Sequence, residues 1–200
     1  MPPVPEGEEH ENARVPLAVA LLAVTAITGA AGLLIAMGKL TLDLGLGRRV
    51  RPLGPQLVQI AAPRELVFDL VQLPYGTGAP RELRDKISVL ERDGDMVLAA
   101  HRTKVGWLTT VTVETVTFAR PERIAFRLVR GPVPLVTEEF VLRELEEALT
   151  ELAYRGELWT DGWGLGQVWG ALVAGPWERT VARSLDGLKS SAEAKVSRDR

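Results

Sequence analysis

The sequence predicts an α+β protein: an antiparallel β-sheet with a long C-terminal helix, preceded by a single transmembrane helix. Three observations predict it. Val15 to Met37 runs for 23 residues without Asp, Glu, Lys, Arg, His, Asn or Gln. Between Ile87 and Trp159, six segments read as strands, some alternating apolar and polar residues with period two and others rich in Thr, Val and aromatics, and short turn signals separate them. From about Gly166 to Val196 the period changes, and Val181, Leu185 and Leu188 form a helical stripe.

The apolar run comes first. At about 1.5 Å rise per residue it would cover roughly 34 Å, enough for a hydrocarbon core of about 30 Å. In lipid only a helix satisfies its own backbone groups. A buried core helix and a cleaved signal peptide are the alternatives. The first seldom runs so long without a polar residue. The second fits poorly with an acidic N-terminal flank and an end at Lys39. Residues 1–14 carry Glu6, Glu8, Glu9 and Glu11 against Arg14, whereas Lys39, Arg48, Arg49 and Arg51 follow the run. Lys and Arg near a span favour the cytoplasmic side. The expected topology is therefore single-pass, with the N-terminus out and the C-terminal domain cytoplasmic.

Composition narrows the function. The chain has no cysteine and two histidines, with a formal net charge of −2. Disulfides, thiolate metal sites and cysteine nucleophiles are excluded. His10 lies in the tail and His101 in the domain, so no histidine cluster is available for a metal, and no cofactor is expected. The near-balance of charge argues against a nucleic-acid partner.

The chain divides into an acidic, Pro-rich tail (1–14) expected to be disordered, the span (15–37), a basic Gly/Pro linker (38–55) and a domain (56–196). The domain opens with a strand, Gln56–Ile60. A helix follows Pro63, with Leu66, Val67, Leu70 and Val71 on one face. Leu73–Pro80 ends it, and Glu82–Lys86 forms a brief helical turn. The strands are expected at Ile87–Glu91, Met96–Thr103, Trp107–Phe118, Ile124–Arg130, Leu135–Leu145 and Leu149–Trp159. Arg92-Asp93-Gly94-Asp95, Arg120-Pro121-Glu122-Arg123, Gly131-Pro132 and Glu146-Glu147 supply turns between them. The final helix carries Gly175-Pro176, where a bend is expected.

This order resembles the START-like superfamily of helix-grip proteins, also called SRPBCC, which includes polyketide cyclases, aromatases and lipid-transfer modules. Val58 to Val71, VQIAAPRELVFDLV, is similar to the family's opening, in which a strand meets a small residue, a proline and a helix bearing Phe-Asp. Pro121 to Phe126 resembles its turn between middle strands, and Trp177 to Ala192 its closing helix. The turn Leu145-Glu146-Glu147-Ala148 departs from the family's Gly-Gly-Thr pattern. The resemblance implies a helix-grip fold, with the antiparallel sheet curved around the long C-terminal helix, and a cavity between them for a small hydrophobic ligand.

Val111, Val113, Phe126 and Leu128 either line that cavity or pack against the helix. Glu114 interrupts an apolar strand. It either points into the cavity, where its pKa would rise, or lies on the solvent face, the commoner arrangement. Trp169 belongs to a Trp-rich segment, Trp159 to Trp177, that either forms a membrane-touching lip of the cavity or packs the helix onto the sheet. His101, beside Arg102 and Lys104, is expected to be exposed. Glu138, Glu139, Arg143, Glu151 and Arg155 are expected to pair across strands. The six ligand-binding candidates are thus Val111, Val113, Glu114, Phe126, Leu128 and Trp169, and no catalytic residue is named. The expected partners are the lipid bilayer, through residues 15–37, and a hydrophobic small molecule. The expected function is membrane-anchored binding or transport of that molecule. A cyclase or aromatase acting on a polyketide-like substrate and a non-ligand adaptor are the alternatives. A buried polar pair would favour the enzyme, and a filled interior the adaptor.

Overall fold

The computed structural model describes residue 26 and residues 28–198. The tail 1–14 and most of the predicted span Val15–Met37 lie outside them. Residues 28–36 are helical. Among the described residues no helix is long and apolar enough to cross a membrane.

Seven antiparallel strands form one sheet: β1 (Arg49–Ile60), β2 (Ile87–Asp93), β3 (Met96–Val105), β4 (Leu108–Ala119), β5 (Arg123–Arg130), β6 (Leu135–Glu146) and β7 (Leu149–Thr160). Their order is β1-β7-β6-β5-β4-β3-β2, so β2 to β7 form a meander and β1 returns to pair with the last strand. Short helices α1 (Arg64–Gln72) and α2 (Arg81–Lys86), with a 3-10 turn at Leu73–Tyr75 between them, bridge β1 and β2. The chain ends in α3, Trp163–Arg198.

The six strands predicted between residues 87 and 159 are all present. Strand β1, however, begins at Arg49, so residues 49–55 belong to the sheet rather than to a linker. Pairing with β7 passes over Gly54 and Pro55, with a register shift between Leu53 and Gln56. A bulge of this kind lets a strand carry Gly and Pro without losing its partner. Residues 38–48 are held too. The amide of Val111 donates to the carbonyl of Met37, Thr41 exchanges hydrogen bonds with Gly131, and the amides of Leu44 and Gly45 donate to Asp161.

The sheet's inner face carries the core. Ile60, Val97, Val116, Ile124, Leu152 and Leu158 are almost completely buried, each worth about 1.5–3 kcal/mol of apolar burial. Helix α3 packs on the β1–β7 side through Gly166, Gly170, Ala174, Val181, Leu185 and Ala192. The residues of this stripe are small in the first half and larger beyond Pro176. A Cβ at Gly170 would stand 2.9 Å from the Thr160 methyl, so the missing side chains let the helix start close to the sheet. On the other flank, α1 buries Val67 and Phe68, and Phe68 meets Phe118 edge-on with ring centroids 6.4 Å apart.

Candidate functional site

Between α3 and the α1–α2 flank, the sheet's inner face is floored by β3 to β7. Period two puts Thr112, Glu114, Val116 and Phe118 of β4 on this side. Phe126 and Leu128 of β5 and Glu138 and Phe140 of β6 share it. Register brings His101 of β3 opposite Thr112, two residue pairs from Glu114 and on the same face.

Two ionisable clusters sit in this apolar setting. In the first, His101 Nδ1 lies 2.9 Å from a Glu114 carboxylate oxygen, and His101 Nε2 lies 3.2 Å from the hydroxyl of Tyr75. The side chain of Glu114 is 4% exposed and that of His101 16%. Burial opposes the charge on both, but each stabilises the other's charged form. The histidine pKa is raised, and that of Glu114 is lowered with help from the Thr112 hydroxyl. The pair therefore stays ionic to higher pH than a free histidine would. Burial pushes the Tyr75 hydroxyl well above its usual pKa, keeping it a neutral donor or acceptor.

In the second cluster, Glu138 Oε2 accepts from the hydroxyl of Tyr154 at 2.7 Å and from the indole N–H of Trp177 on α3 at 2.9 Å. Burial, then the nearby Glu114 charge, raises the Glu138 pKa to about 7. Both hydrogen bonds fall on Oε2. Oε1 has no hydrogen-bond partner among the described residues, yet it is not one of the sealed, unsatisfied atoms. Glu138 as a whole is half-buried, so this oxygen keeps some accessible surface. Near neutral pH this carboxyl is partly protonated and can donate or accept.

The surrounding wall is aromatic. Phe140 packs on Phe126 and Tyr154, with centroids 5.4 and 5.7 Å apart. Trp169 donates from its indole nitrogen to the carbonyl of Pro132 at 2.7 Å, tying α3 to the β5–β6 loop. Phe140, Trp169, Val173 and Trp177 stay only partly buried. Two clefts open at the surface. One of about 240 Å³ lies beside Tyr75, Leu73 and Arg92, and one of about 230 Å³ lies between β1 and the start of α3. Both are below the roughly 300–1,000 Å³ of typical small-molecule pockets.

Four of the six predicted ligand-binding residues, Glu114, Phe126, Leu128 and Trp169, thus meet around the grip's interior. Val111 and Val113 do not. They alternate to the outer face. The backbone of Val111 is hydrogen-bonded to Met37, and Val113 is paired with Ala100. The expected exposure of His101 is also corrected, since Val97, Ala99 and His101 share the inward face of β3. Glu114 points inward, and its pKa moves down rather than up because His101 outweighs burial. The expected cross-strand pairing holds for Glu139, which meets Arg123 and Arg155. Its neighbour Glu138 turns inward instead. Among the described residues no group of three or more acidic, histidine or cysteine side chains could hold a metal ion.

No protein-family model matches this chain, and no curated protein does. Solved structures do. The Zhui aromatase/cyclase from Streptomyces sp. R1128 superposes with a TM-score of 0.60 at 18% identity, covering 74% of this chain and 96% of that one. A START superfamily protein from Mycobacterium smegmatis gives 0.54 at 15% identity, covering 72% and 97%. Norcoclaurine synthase from Thalictrum flavum gives 0.51 at 11% identity, covering 76% and 88%. At these identities the likeness concerns the backbone. The fold is helix-grip-like: a curved antiparallel sheet with a long C-terminal helix, shared with these structures.

Proposed function

We propose that this chain is a membrane-anchored helix-grip protein that binds a small, mainly hydrophobic ligand between sheet and helix. In this reading Glu138 Oε1 is the polar handle for a carbonyl or hydroxyl on the ligand. One observation carries the proposal: on the inward face of β6, beside Phe140 and Tyr154, a carboxyl held at one oxygen by Tyr154 and Trp177 leaves its other oxygen without a hydrogen-bond partner among the described residues. A pocket that is apolar apart from a few placed polar groups is what small-molecule recognition uses. An unpaired polar atom is costly where nothing fills its need. Glu114, Phe126, Leu128 and Trp169 belong to the same wall. Loading a lipid-sized molecule requires the groove to widen, with α3 or the α1–α2 flank moving outward. The apolar run Val15–Met37 holds the domain at the bilayer, with the N-terminus out and the domain on the cytoplasmic side, where tethering raises its concentration near membrane-soluble ligands.

The test is solvent extraction of the full chain purified in lipid nanodiscs, with mass spectrometry of what it carries beyond bulk lipid. Phe140→Trp, which fills the groove, is the control. An apolar species enriched by the natural chain and depleted by the variant supports the proposal. Identical extracts from both refute it.

A second reading, a cyclase-type enzyme, is favoured by the ordered His101–Glu114 pair with Tyr75 on its far nitrogen. A carboxylate that orients a histidine, whose other nitrogen faces a third group, is a general acid–base arrangement. Conversion of a poly-β-keto substrate that is lost in His101→Gln would select this reading over passive binding.

A further inference from the structure

The two ends of the sheet differ in chemistry. Register places the β3–β4 hairpin, the β5–β6 loop, the β7–α3 junction and the start of β1 at one end. The β2–β3 and β6–β7 hairpins, the β4–β5 turn and the last turns of α3 lie at the other. That second end is charged and exposed, with Asp93, Asp95, Glu122, Arg123, Glu146 and Glu147.

The first end is apolar and exposed. Trp107, at the tip of the β3–β4 hairpin, is 88% exposed. Leu40, Leu42, Leu44 and Leu46, at every second position of the docked segment, all stand open to solvent. On α3, Trp163, Leu165, Val168 and Leu172 form an outward stripe over the first three turns, with Leu165 85% exposed. In this stretch of α3, Gly166, Gly170 and Ala174 face the sheet, while Trp163, Leu165, Val168 and Leu172 face out and only Trp169 and Val173 among its large apolar residues pack inward. Trp163 to Gly175 carries no charge and is too short to span a bilayer.

Basic side chains ring this end. Lys39, Arg49, Lys104 and Arg130 are exposed and, among the described residues, have no acidic partner. The nearby carboxylates Asp43 and Asp161 are both taken by Arg48. An apolar surface with unpaired cations at its rim is complementary to an interface of acyl chains and anionic headgroups. The chain also leaves this end directly into the uncharged run that begins at Val15, and Met37, its last residue, is hydrogen-bonded to β4.

We infer that the domain docks directly on the bilayer through this end, with Trp107, the Leu40–Leu46 segment and the first turns of α3 in the interface and the charged end pointing away. The inference rests on the anchoring of Val15–Met37 and adds a fixed orientation. Residues 38–48 are a strap bonded to the domain through Val111, Gly131 and Asp161, and they hold the domain against the membrane rather than on a free tether.

The absence of native cysteine permits single-cysteine labelling of the full chain. Ala20→Cys, Trp107→Cys, Leu165→Cys and Glu147→Cys, each carrying an environment-sensitive fluorophore, are reconstituted in phosphatidylcholine–phosphatidylglycerol vesicles containing nitroxide-labelled lipid. Docking predicts blue-shifted, lipid-quenched emission at positions 20, 107 and 165 and aqueous, unquenched emission at 147. Quenching at 20 with aqueous emission at 107 and 165 overturns docking and leaves the anchor in place. Aqueous emission at 20 as well removes both. Blue-shifted but unquenched emission at 107 and 165 overturns docking in favour of a protein covering this end.

Discussion

Glu138→Gln separates the charge of this carboxyl from its hydrogen bonds. The amide oxygen can occupy the Oε2 position and keep both donors, Tyr154 and Trp177. What it cannot do is ionise. In the folded chain the Glu138 pKa is raised from 4.5 to about 7. Between these values the unfolded chain has lost a proton that the folded chain still holds, so stability falls as pH rises through the window. At 1.36 kcal/mol per unit, the shift makes burial of this carboxyl cost up to about 3 kcal/mol at pH 7, against less than about 1 kcal/mol at pH 5. The variant escapes this loss, so its stability relative to the natural chain should grow by about 2 kcal/mol from pH 5 to pH 7. For a domain of this size that is a difference in Tm widening by roughly 4–8 °C. Thermal unfolding of both proteins, followed by tryptophan fluorescence in one detergent at several pH values, reads it. Any constant offset from the amide's altered bonds drops out of the comparison. A difference in Tm that stays flat from pH 5 to pH 7, or narrows, would refute the assignment of a buried, largely protonated Glu138.

Glu114→Ala removes one member of a buried pair and strands His101, at an expected cost of about 3–5 kcal/mol in urea unfolding. The double variant Glu114→Leu/His101→Leu, which leaves no charge behind, should recover most of that loss. Because the His101 pKa is raised by Glu114, the pair's contribution should be full below about pH 6.5 and fade as pH rises past it, so Glu114→Ala should be most damaging in mildly acidic buffer. Asp161 holds the amides of Leu44 and Gly45 and the guanidinium of Arg48, which lowers its pKa to about 2. Asp161→Ala should loosen the strap, and trypsin cleavage after Arg48 or Arg49 should accelerate while the rest of the domain stays resistant. Gly38 has φ of +67°, and a Cβ there would overlap the Val111 carbonyl. Gly38→Ala should therefore detach the strap from β4 and lower Tm, whereas Gly78→Ala, which meets nothing within 4 Å, should not.

Strands such as β5 and β7 were legible because each has one buried face and one more exposed face, and that difference is written as period two. Strand β1 was only half legible. Pro52, Gly54 and Pro55 carry the signature of a break, and the bulge that absorbs them exists only because β7 lies alongside. The same reasoning explains the site. Glu138 and Glu139 are neighbours of one type. Cross-strand pairing, the default for acidic residues on strands, accounts for Glu139, whose partners Arg123 and Arg155 sit on the outer face. Alternation then requires Glu138 to face inward, between Val136 and Phe140, so its position was readable from period two alone. Its raised pKa was not, because that depends first on burial by the packed elements and then on Glu114, twenty-four positions away in sequence. His101 gave a similar signal through Val97 and Ala99, four and two residues before it on the inward face, and charged neighbours on the other face masked it. What sequence could not supply in either case is the partner. His101 meets Glu114 through the β3–β4 register, but it meets Tyr75 only because the 3-10 turn folds over the sheet edge. The polar chemistry of this interior is therefore a product of packing between elements, and perturbing the packing, by Phe140→Trp or by detaching the strap, should alter it as surely as changing the ionisable residues themselves.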